Sequence, residues 1–184
     1  MDAAMEKKLQ DMLDRHEIWR ALQCYGRGLD RLDSELTQSL YFEDAVDDHG
    51  IFIGYRDDFI EWANRATLTF VECHHGLMNH YCELEGDDAY CETYYLFTGV
   101  REAPPHLMVM GRYIDHFQRR NGEWRIANRV EVREKIFGLS DLTPDIGSDR
   151  TGGAEPPHHT SRDRNDISYQ RPLRPRRPTA SAGQ

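Results

Sequence analysis

The stretch Ile114-Asp-His-Phe-Gln-Arg-Arg-Asn121-Gly122-Glu-Trp124-Arg-Ile126 carries the clearest fold signal in the chain. An Asn-Gly pair between two runs that contain apolar and aromatic residues indicates a two-residue β-hairpin, because both central turn positions need a positive φ. The sequence therefore predicts two antiparallel strands that meet at this turn, over residues 106–119 and 123–137.

Two further predicted strands precede this hairpin. The first, over 74–84, ends at Gly86-Asp-Asp, and the second, over 89–100, is rich in Tyr, Thr and Phe. Upstream of them, apolar residues recur at steps of three and four, which indicates helices. The upstream elements are a helix over 5–29, a short helix over 34–41, a short strand over 46–53 and a third helix over 55–68.

This order of elements predicts the fold class. Helices followed by a four-strand meander are typical of an α+β fold in which the helices pack on one face of the sheet. A long antiparallel sheet that curls around a helix forms a cone-shaped barrel, so we expect the helices in the concavity of a curved, mainly antiparallel sheet. Ligand pockets of single-domain proteins often lie in such a concave mouth.

Composition limits the function classes. The chain has 184 residues and a formal net charge of −9. This acidic balance argues against nucleic-acid binding, and no apolar run is long enough to span a membrane. The N-terminus lacks the apolar core of a signal peptide, and the four cysteines show no C-x-x-C spacing. We therefore expect reduced thiols and a cytoplasmic protein.

The C-terminal end of the chain has few large apolar residues. Six of the eight prolines lie from Pro144 onward, together with Gly152-Gly153 and an arginine-rich run near residue 175. Such a segment buries too little apolar surface to offset its chain entropy. The sequence predicts one domain over 1–140 and a tail over 141–184 that is disordered or lies on a partner subunit.

No strong local catalytic motif occurs, so the candidate site consists of polar residues near the ends of predicted elements. These are Tyr25 and Asp30 on the first helix, His75 and Asn79 on the strand over 74–84, His106 and Arg129 on later strands, and Asp47-Asp48-His49. Strand alternation places His75 and Asn79 on one face and His74 on the other. Arg129 and Asn128 have opposite parity, and a β-bulge would decide which of them points inward.

A metal site is a weaker interpretation of Asp47-Asp48-His49. Adjacent strand residues point to opposite faces, so only Asp47 and His49 converge, and two ligands are too few to hold an ion. We predict no metal and no organic cofactor.

The segment Tyr25-Gly-Arg-Gly-Leu-Asp30-Arg-Leu-Asp33, the step Phe42-Glu-Asp-Ala45 and Trp124-Arg-Ile after the Asn-Gly turn resemble the SnoaL-like branch of the nuclear transport factor 2-like superfamily. Members share a cone-shaped α+β fold but not one function. In site pattern the chain is most similar to scytalone dehydratase, hexachlorocyclohexane dehydrochlorinase and bile acid 7α-dehydratase. The resemblance implies an Asp30–His75 dyad, with Tyr25 and Arg129 as further catalytic residues and Asn79 in a His-x-x-x-Asn stretch.

The chemistry of such a dyad is elimination. Histidine can remove a carbon-bound proton near neutral pH, and a carboxylate on its second ring nitrogen fixes the tautomer. The sequence thus predicts a lyase of the dehydratase type that acts on an apolar cyclic molecule such as a steroid, terpenoid or polyketide. An isomerase or cyclase with the same base, and a non-catalytic ligand-binding module, are the alternatives. The substrate-binding residues are predicted to be Asn79, His106, Leu77, Met110 and Trp62.

The predicted partner is a small apolar substrate, with neither nucleic acid nor membrane. Because an open sheet leaves edges that proteins usually cover, we also expect a homodimer or homotrimer.

Overall fold

The computed structural model describes residues 2–141 and 161–173. Three helices and six strands form the larger part. The helices are α1 (Ala3–Asp30), α2 (Ser34–Ser39) and α3 (Arg56–Thr67), and the strands are β1 (Tyr41–Asp48), β2 (Ile53–Tyr55), β3 (Glu72–Glu85), β4 (Asp88–Val100), β5 (His106–Arg120) and β6 (Glu123–Leu139). No helix within the described ranges is long and apolar enough to cross a membrane.

The six strands form one mixed sheet in the order β2-β1-β6-β5-β4-β3. Neighbouring strands are antiparallel, except that β1 runs parallel to β6. The helices pack against this curved sheet, which does not close, so β2 and β3 are its edges. The predicted α+β class is therefore confirmed, and the cone is an open curved sheet rather than a closed barrel.

The turn that identifies the meander has the expected backbone. Asn121 has a φ of 55° and Gly122 a φ of 84°, and Arg120 pairs directly with Glu123 across the turn. These positive φ values are the reason for an Asn-Gly pair here.

The predicted single strand over 46–53 is divided by a hairpin: its first three residues end β1, and Ile53 begins β2. β1 ends at Asp48, and β2 returns so that Val46 lies opposite Tyr55. The Asp48 side chain accepts a hydrogen bond of 2.8 Å from the backbone N–H of Gly50, whose φ is 72°. This local polar turn reverses the chain, and apolar patterning does not reveal it.

Helix α1 lies at the centre of the core. The Asp2 side chain caps it by accepting a hydrogen bond of 2.8 Å from the N–H of Met5. Ile18, Leu22 and Leu29 are almost fully buried on one face, at steps of four and seven residues. This packing fixes the end of α1 against the sheet, at the place where Asp30 lies.

Residues 161–173 lie against the end of α1. The Arg162 guanidinium donates hydrogen bonds of 2.6 to 3.3 Å to four carbonyl oxygens, those of Leu29, Asp30, Thr67 and Phe70. Carbonyl groups at helix ends lack intrahelical partners, so this side chain satisfies groups that would otherwise need water. Tail composition gave no sign of these contacts; residues 142–160 and 174–184 of the predicted tail lie outside the described residues.

Replacing Arg162 by Ala is expected to lower the free energy of unfolding by about 1–3 kcal/mol, because part-buried carbonyl oxygens lose their donor. Urea denaturation of the full chain measures this change. Arg171→Ala is the matched control, since among the described residues the Arg171 side chain donates to the Ser168 and Gln170 carbonyls of its own segment. We expect it to change stability by less than about 0.5 kcal/mol. Equal destabilisation by both substitutions would show that the Arg162 contacts are unimportant.

Candidate active site

A cavity of about 240 Å³ opens between the helices and the concave face of the sheet. Its walls are mainly aromatic and aliphatic, and two histidines, His49 and His75, face into it. The aromatic lining residues are Tyr25, Phe59, Trp62, Phe70, Tyr95, Phe97 and Tyr113. An apolar cavity with a few convergent polar groups is the usual form of a small-molecule site.

Asp30 and His75 form the predicted pair. The Nδ1–H of His75 donates a hydrogen bond of 2.7 Å to Asp30 Oδ1, and the His75 backbone N–H donates one of 3.0 Å to Oδ2. Helix α1 can approach β3 closely because Gly26 has no side chain, and a Cβ there would lie 3.2 Å from the His75 Cβ. With Nδ1 held by the carboxylate, Nε2 is the ring nitrogen left for a ligand.

The environment of Asp30 favours its charged form. Burial pushes the pKa of this carboxyl upward, but the hydrogen bonds and charge of His75, together with the Cys73 thiol, outweigh burial and lower the pKa. Burial and the neighbouring Asp30 raise the pKa of Cys73 to about 12, so this thiol stays protonated and donates to Asp30 over 3.5 Å. Asp30 is therefore a fixed negative charge behind His75.

Asp30→Asn is expected to remove a pH-dependent part of the stability. Because the folded pKa of Asp30 is below its ordinary value of 3.8, the carboxylate stabilises the fold above that value, and this contribution is lost as pH falls through the folded pKa. The difference in free energy of unfolding between wild type and Asp30→Asn should reach a plateau above about pH 5 and shrink as the pH falls below about pH 4. Asp11→Asn, at a partly exposed side chain on the same helix that is paired with Lys7, is the control. A difference that stays constant with pH would contradict the assignment.

A second Asp–His pair, which the sequence did not predict, lies in the same cavity. His49 Nδ1 donates to Asp47, and both side chains are buried. The Tyr41 hydroxyl donates a hydrogen bond of 2.9 Å to the other oxygen of Asp47. Strand alternation in the sequence predicts that Asp47 and His49 lie on one face. It does not predict the hydrogen bond between them.

Tyr25 lies between the two histidines. Its hydroxyl donates to His49 Nε2 over 3.5 Å, and its ring centre lies 6.0 Å from that of His75. Burial raises the pKa of Tyr25 far above its usual range, although the nearby Arg129 opposes the effect. The tyrosine is therefore a neutral hydrogen-bond donor beside both imidazoles.

Arg129 points inward, because Ala127 is an extra residue in β6. The register steps from His116–Asn128 to Phe117–Ile126, and this bulge reverses the parity of the strand, so that Asn128 is exposed. The Arg129 guanidinium makes two hydrogen bonds to Asp115, of 2.6 and 2.9 Å.

Arg129 is not among the residues that line the cavity. It lies behind the lining, 4.1 Å from the ring centre of Tyr25 and 4.2 Å from that of Tyr113. Its predicted catalytic role is corrected accordingly: its guanidinium packs on the Tyr25 ring and is not part of the cavity lining.

Of the predicted substrate-binding residues, Trp62 lines the cavity and four do not. Asn79 is exposed, because the register of β3 shifts between Leu77 and His80 and turns it to the face opposite His75. Leu77 packs against the core instead of lining the cavity.

The other two corrections concern β5. Met110 lies on the outer face of β5 and is 41 % exposed. Leu107 and Val109 alternate with it and line the cavity from the inner face. His106 donates from Nε2 to Asp141 over 2.6 Å and accepts at Nδ1 from the Arg101 N–H, and it is likewise absent from the lining.

A polar group on the sheet wall was also missed. The Tyr95 hydroxyl donates to Glu131, which is paired with Arg133 at 2.7 Å, and all three residues line the cavity. Burial and the Glu131 carboxylate raise the pKa of Tyr95. Strand alternation could have indicated Glu131, because it lies two residues after Arg129 and therefore on the same face of β6.

Comparison with known proteins identifies the fold family. A family model described as a SnoaL-like domain matches residues 10–130. A search of the curated proteins finds no match.

Among solved structures, a LinA type 3 hexachlorocyclohexane dehydrochlorinase from Novosphingobium barchaimii is similar over 73 % of this chain and 96 % of its own, with a TM-score of 0.64 and 16 % identity. A predicted scytalone dehydratase from Novosphingobium aromaticivorans matches over 72 % and 91 %, with a TM-score of 0.65 and 18 % identity. A predicted aromatic ring hydroxylase from the same species matches over 73 % and 96 %, with a TM-score of 0.62 and 22 % identity.

At these identities, the likeness establishes a shared fold and leaves the reaction open. The family model spans most of the predicted domain, and the observed sheet and helices agree with it. This chain therefore belongs to the SnoaL-like domain family.

Proposed function

We propose that this protein is a cofactor-independent lyase that eliminates water, or another small leaving group, from an apolar cyclic molecule. The observation that carries the proposal is His75, which lines an aromatic cavity while Asp30 holds its Nδ1 at 2.7 Å. A carboxylate in this position fixes the imidazole tautomer and stabilises the imidazolium that forms when the ring accepts a proton.

His75 carries the proton transfers of the reaction. His75 Nε2 accepts the proton from a carbon atom of the substrate, and the electrons of that C–H bond form the new double bond. The leaving oxygen keeps the electron pair of the broken C–O bond and takes a proton from the His75 imidazolium, so that water departs and the imidazole is neutral again. Tyr25, whose hydroxyl is 3.5 Å from His49 Nε2, lies beside His75 as a neutral hydrogen-bond donor.

The lining supports the substrate class. Seven aromatic side chains surround the cavity, whereas its polar groups are few and are paired with one another. An apolar ring buries its surface against such walls, and a carbonyl on it can receive the hydrogen bond of the Tyr25 hydroxyl in place of His49. The structural relatives described as a dehydrochlorinase and a dehydratase are consistent with an elimination on this scaffold.

The test is incubation of the full chain with apolar cyclic ketones that carry a hydroxyl or a chloride β to the carbonyl. Mass spectrometry should detect products that have lost water or hydrogen chloride, at rates well above those in buffer. A rearranged product of unchanged mass would instead support an isomerase. Saturable binding without any turnover across the panel would support a ligand-binding module, and either result would overturn the proposal.

A further inference from the structure

A separate cluster of chemically active side chains lies on the hairpin of β3 and β4. It consists of His80, Cys82 and Cys91, and a ligand atom from each lies within 4.8 Å of the other two. None of the three lines the cavity that contains His75. The cluster therefore has no part in the proposed elimination and needs its own explanation.

The bulge in β3 creates this cluster. After the register shift between Leu77 and His80, even positions of β3 point inward, so His80 and Cys82 share one face. Cys82 lies directly opposite Cys91, and His80 lies directly opposite Thr93. Both thiols are buried, and neither forms a disulfide.

His80 is held as metal-binding histidines usually are. Its Nδ1 is hydrogen-bonded to Thr93 Oγ1 at 2.9 Å, and its ring packs against Trp19 with centres 5.2 Å apart. With Nδ1–H donating to the threonine, Nε2 carries the free lone pair, the arrangement that orients a ligating imidazole.

Nε2 of His80 is the unexplained atom. It is buried, and no hydrogen-bond partner reaches it within the described ranges 2–141 and 161–173. A buried polar nitrogen without a partner carries a desolvation cost of about 1–3 kcal/mol, so such atoms commonly mark a missing ion or water.

We propose that His80, Cys82 and Cys91 bind one thiophilic divalent cation, with Zn²⁺ the best fit, and leave a fourth position for water or a small ligand. Two cysteines and one histidine are a known ligand set for zinc. Tetrahedral zinc, with bonds of about 2.3 Å to sulfur and 2.0–2.1 Å to nitrogen, sets its ligands about 3.4–3.8 Å apart. Small side-chain rotations that move the ligand atoms by up to about 1 Å bring the three residues to that geometry.

Access is also suitable. Arg15, His80 and Cys82 also line a depression at the surface, which gives an ion a path to the cluster.

The ion would join β3 to β4 close to their turn and keep one coordination position open. This differs from the sequence-based expectation of no metal, because the bulge that aligns His80 with Cys82 is not visible in the residue pattern.

The test is titration of the reduced, metal-free full chain with Co²⁺. We expect saturation at one ion per chain, with thiolate-to-cobalt charge-transfer absorption and the visible bands of tetrahedral cobalt, both lost when Zn²⁺ is added. Cys82→Ser and His80→Gln should lose or greatly weaken this spectrum. Cys24→Ser, at a half-buried thiol outside the cluster, should retain it.

Thr93→Val separates a metal site from a merely structural cluster. Loss of the hydrogen bond to Nδ1 should weaken Co²⁺ affinity by about 10- to 100-fold without removing the spectrum. A folded wild-type chain that gives no cobalt spectrum would overturn the proposal, as would a Cys24→Ser variant that loses the spectrum as fully as Cys82→Ser. A reduced chain that binds no ion but oxidises to a Cys82–Cys91 disulfide would also overturn it.

Discussion

His75→Gln is expected to lower kcat/KM for elimination by about 10²- to 10⁴-fold, the usual contribution of a positioned general base. Glutamine fills much of the same volume and can still donate a hydrogen bond to Asp30, but it cannot take a proton from carbon. Steady-state kinetics on whichever β-substituted ketone is turned over measures the effect, and circular dichroism checks the fold.

The matched control for this substitution is His74→Gln. His74 is the adjacent residue of β3 and is exposed on the opposite face of the strand. We expect its kcat/KM to remain within about twofold of wild type, since surface positions away from the site rarely matter. If both variants retain wild-type rates, His75 is not the base.

Arg129→Met is expected to destabilise the fold by about 3–5 kcal/mol, because it leaves a buried carboxylate without its partner. The Arg129 and Asp115 side chains are both 0 % exposed, and they share two short hydrogen bonds. Methionine fills much of the volume but supplies no charge. Urea denaturation at neutral pH gives the change in free energy of unfolding.

Two controls distinguish loss of the pair from loss of volume. The double variant Arg129→Met/Asp115→Leu should be more stable than the single one, since replacing both partners removes the unpaired charge. Arg112→Met, on the outer surface and paired with Glu92 and Glu134, should cost no more than about 1 kcal/mol. A single variant as stable as Arg112→Met would contradict the role assigned to Arg129.

The fold was predictable because its signals are local. The Asn121-Gly122 turn, the Gly86 turn and the helical spacing of apolar residues each report on a few neighbouring positions, and together they indicate the α+β order. The hairpin at Gly50 was missed because its turn includes a hydrogen bond from the Gly50 N–H to the Asp48 side chain, which apolar patterning does not report.

The Asp30–His75 contact was also predictable, from a resemblance that pairs the end of the first helix with this strand. The errors at Asn79 and the open choice between Arg129 and Asn128 have one physical cause. A bulge inserts one residue and reverses every side chain beyond it, and neither the bulge near Leu77 nor that at Ala127 has a residue signature. The same cause hid the His80 cluster.

The pairing of His49 with Asp47 depends on packing as well. His49 lies against Phe59 and Trp62 of α3, with ring centres 4.9 and 5.6 Å apart. Those contacts join the end of one strand to the helix that follows the β1–β2 hairpin, so periodicity within either element cannot indicate them.

The central claim, that His75 removes a proton from carbon inside this cavity, can be tested without knowing the natural substrate. The measurement is proton NMR of 2-tetralone, an apolar bicyclic ketone without a leaving group, in D₂O with the full chain. We expect the wild-type protein to exchange the protons next to the carbonyl for deuterium faster than buffer does, and His75→Gln not to do so. Exchange at equal rates with wild type and His75→Gln, or none with wild type although the ketone binds, would contradict it.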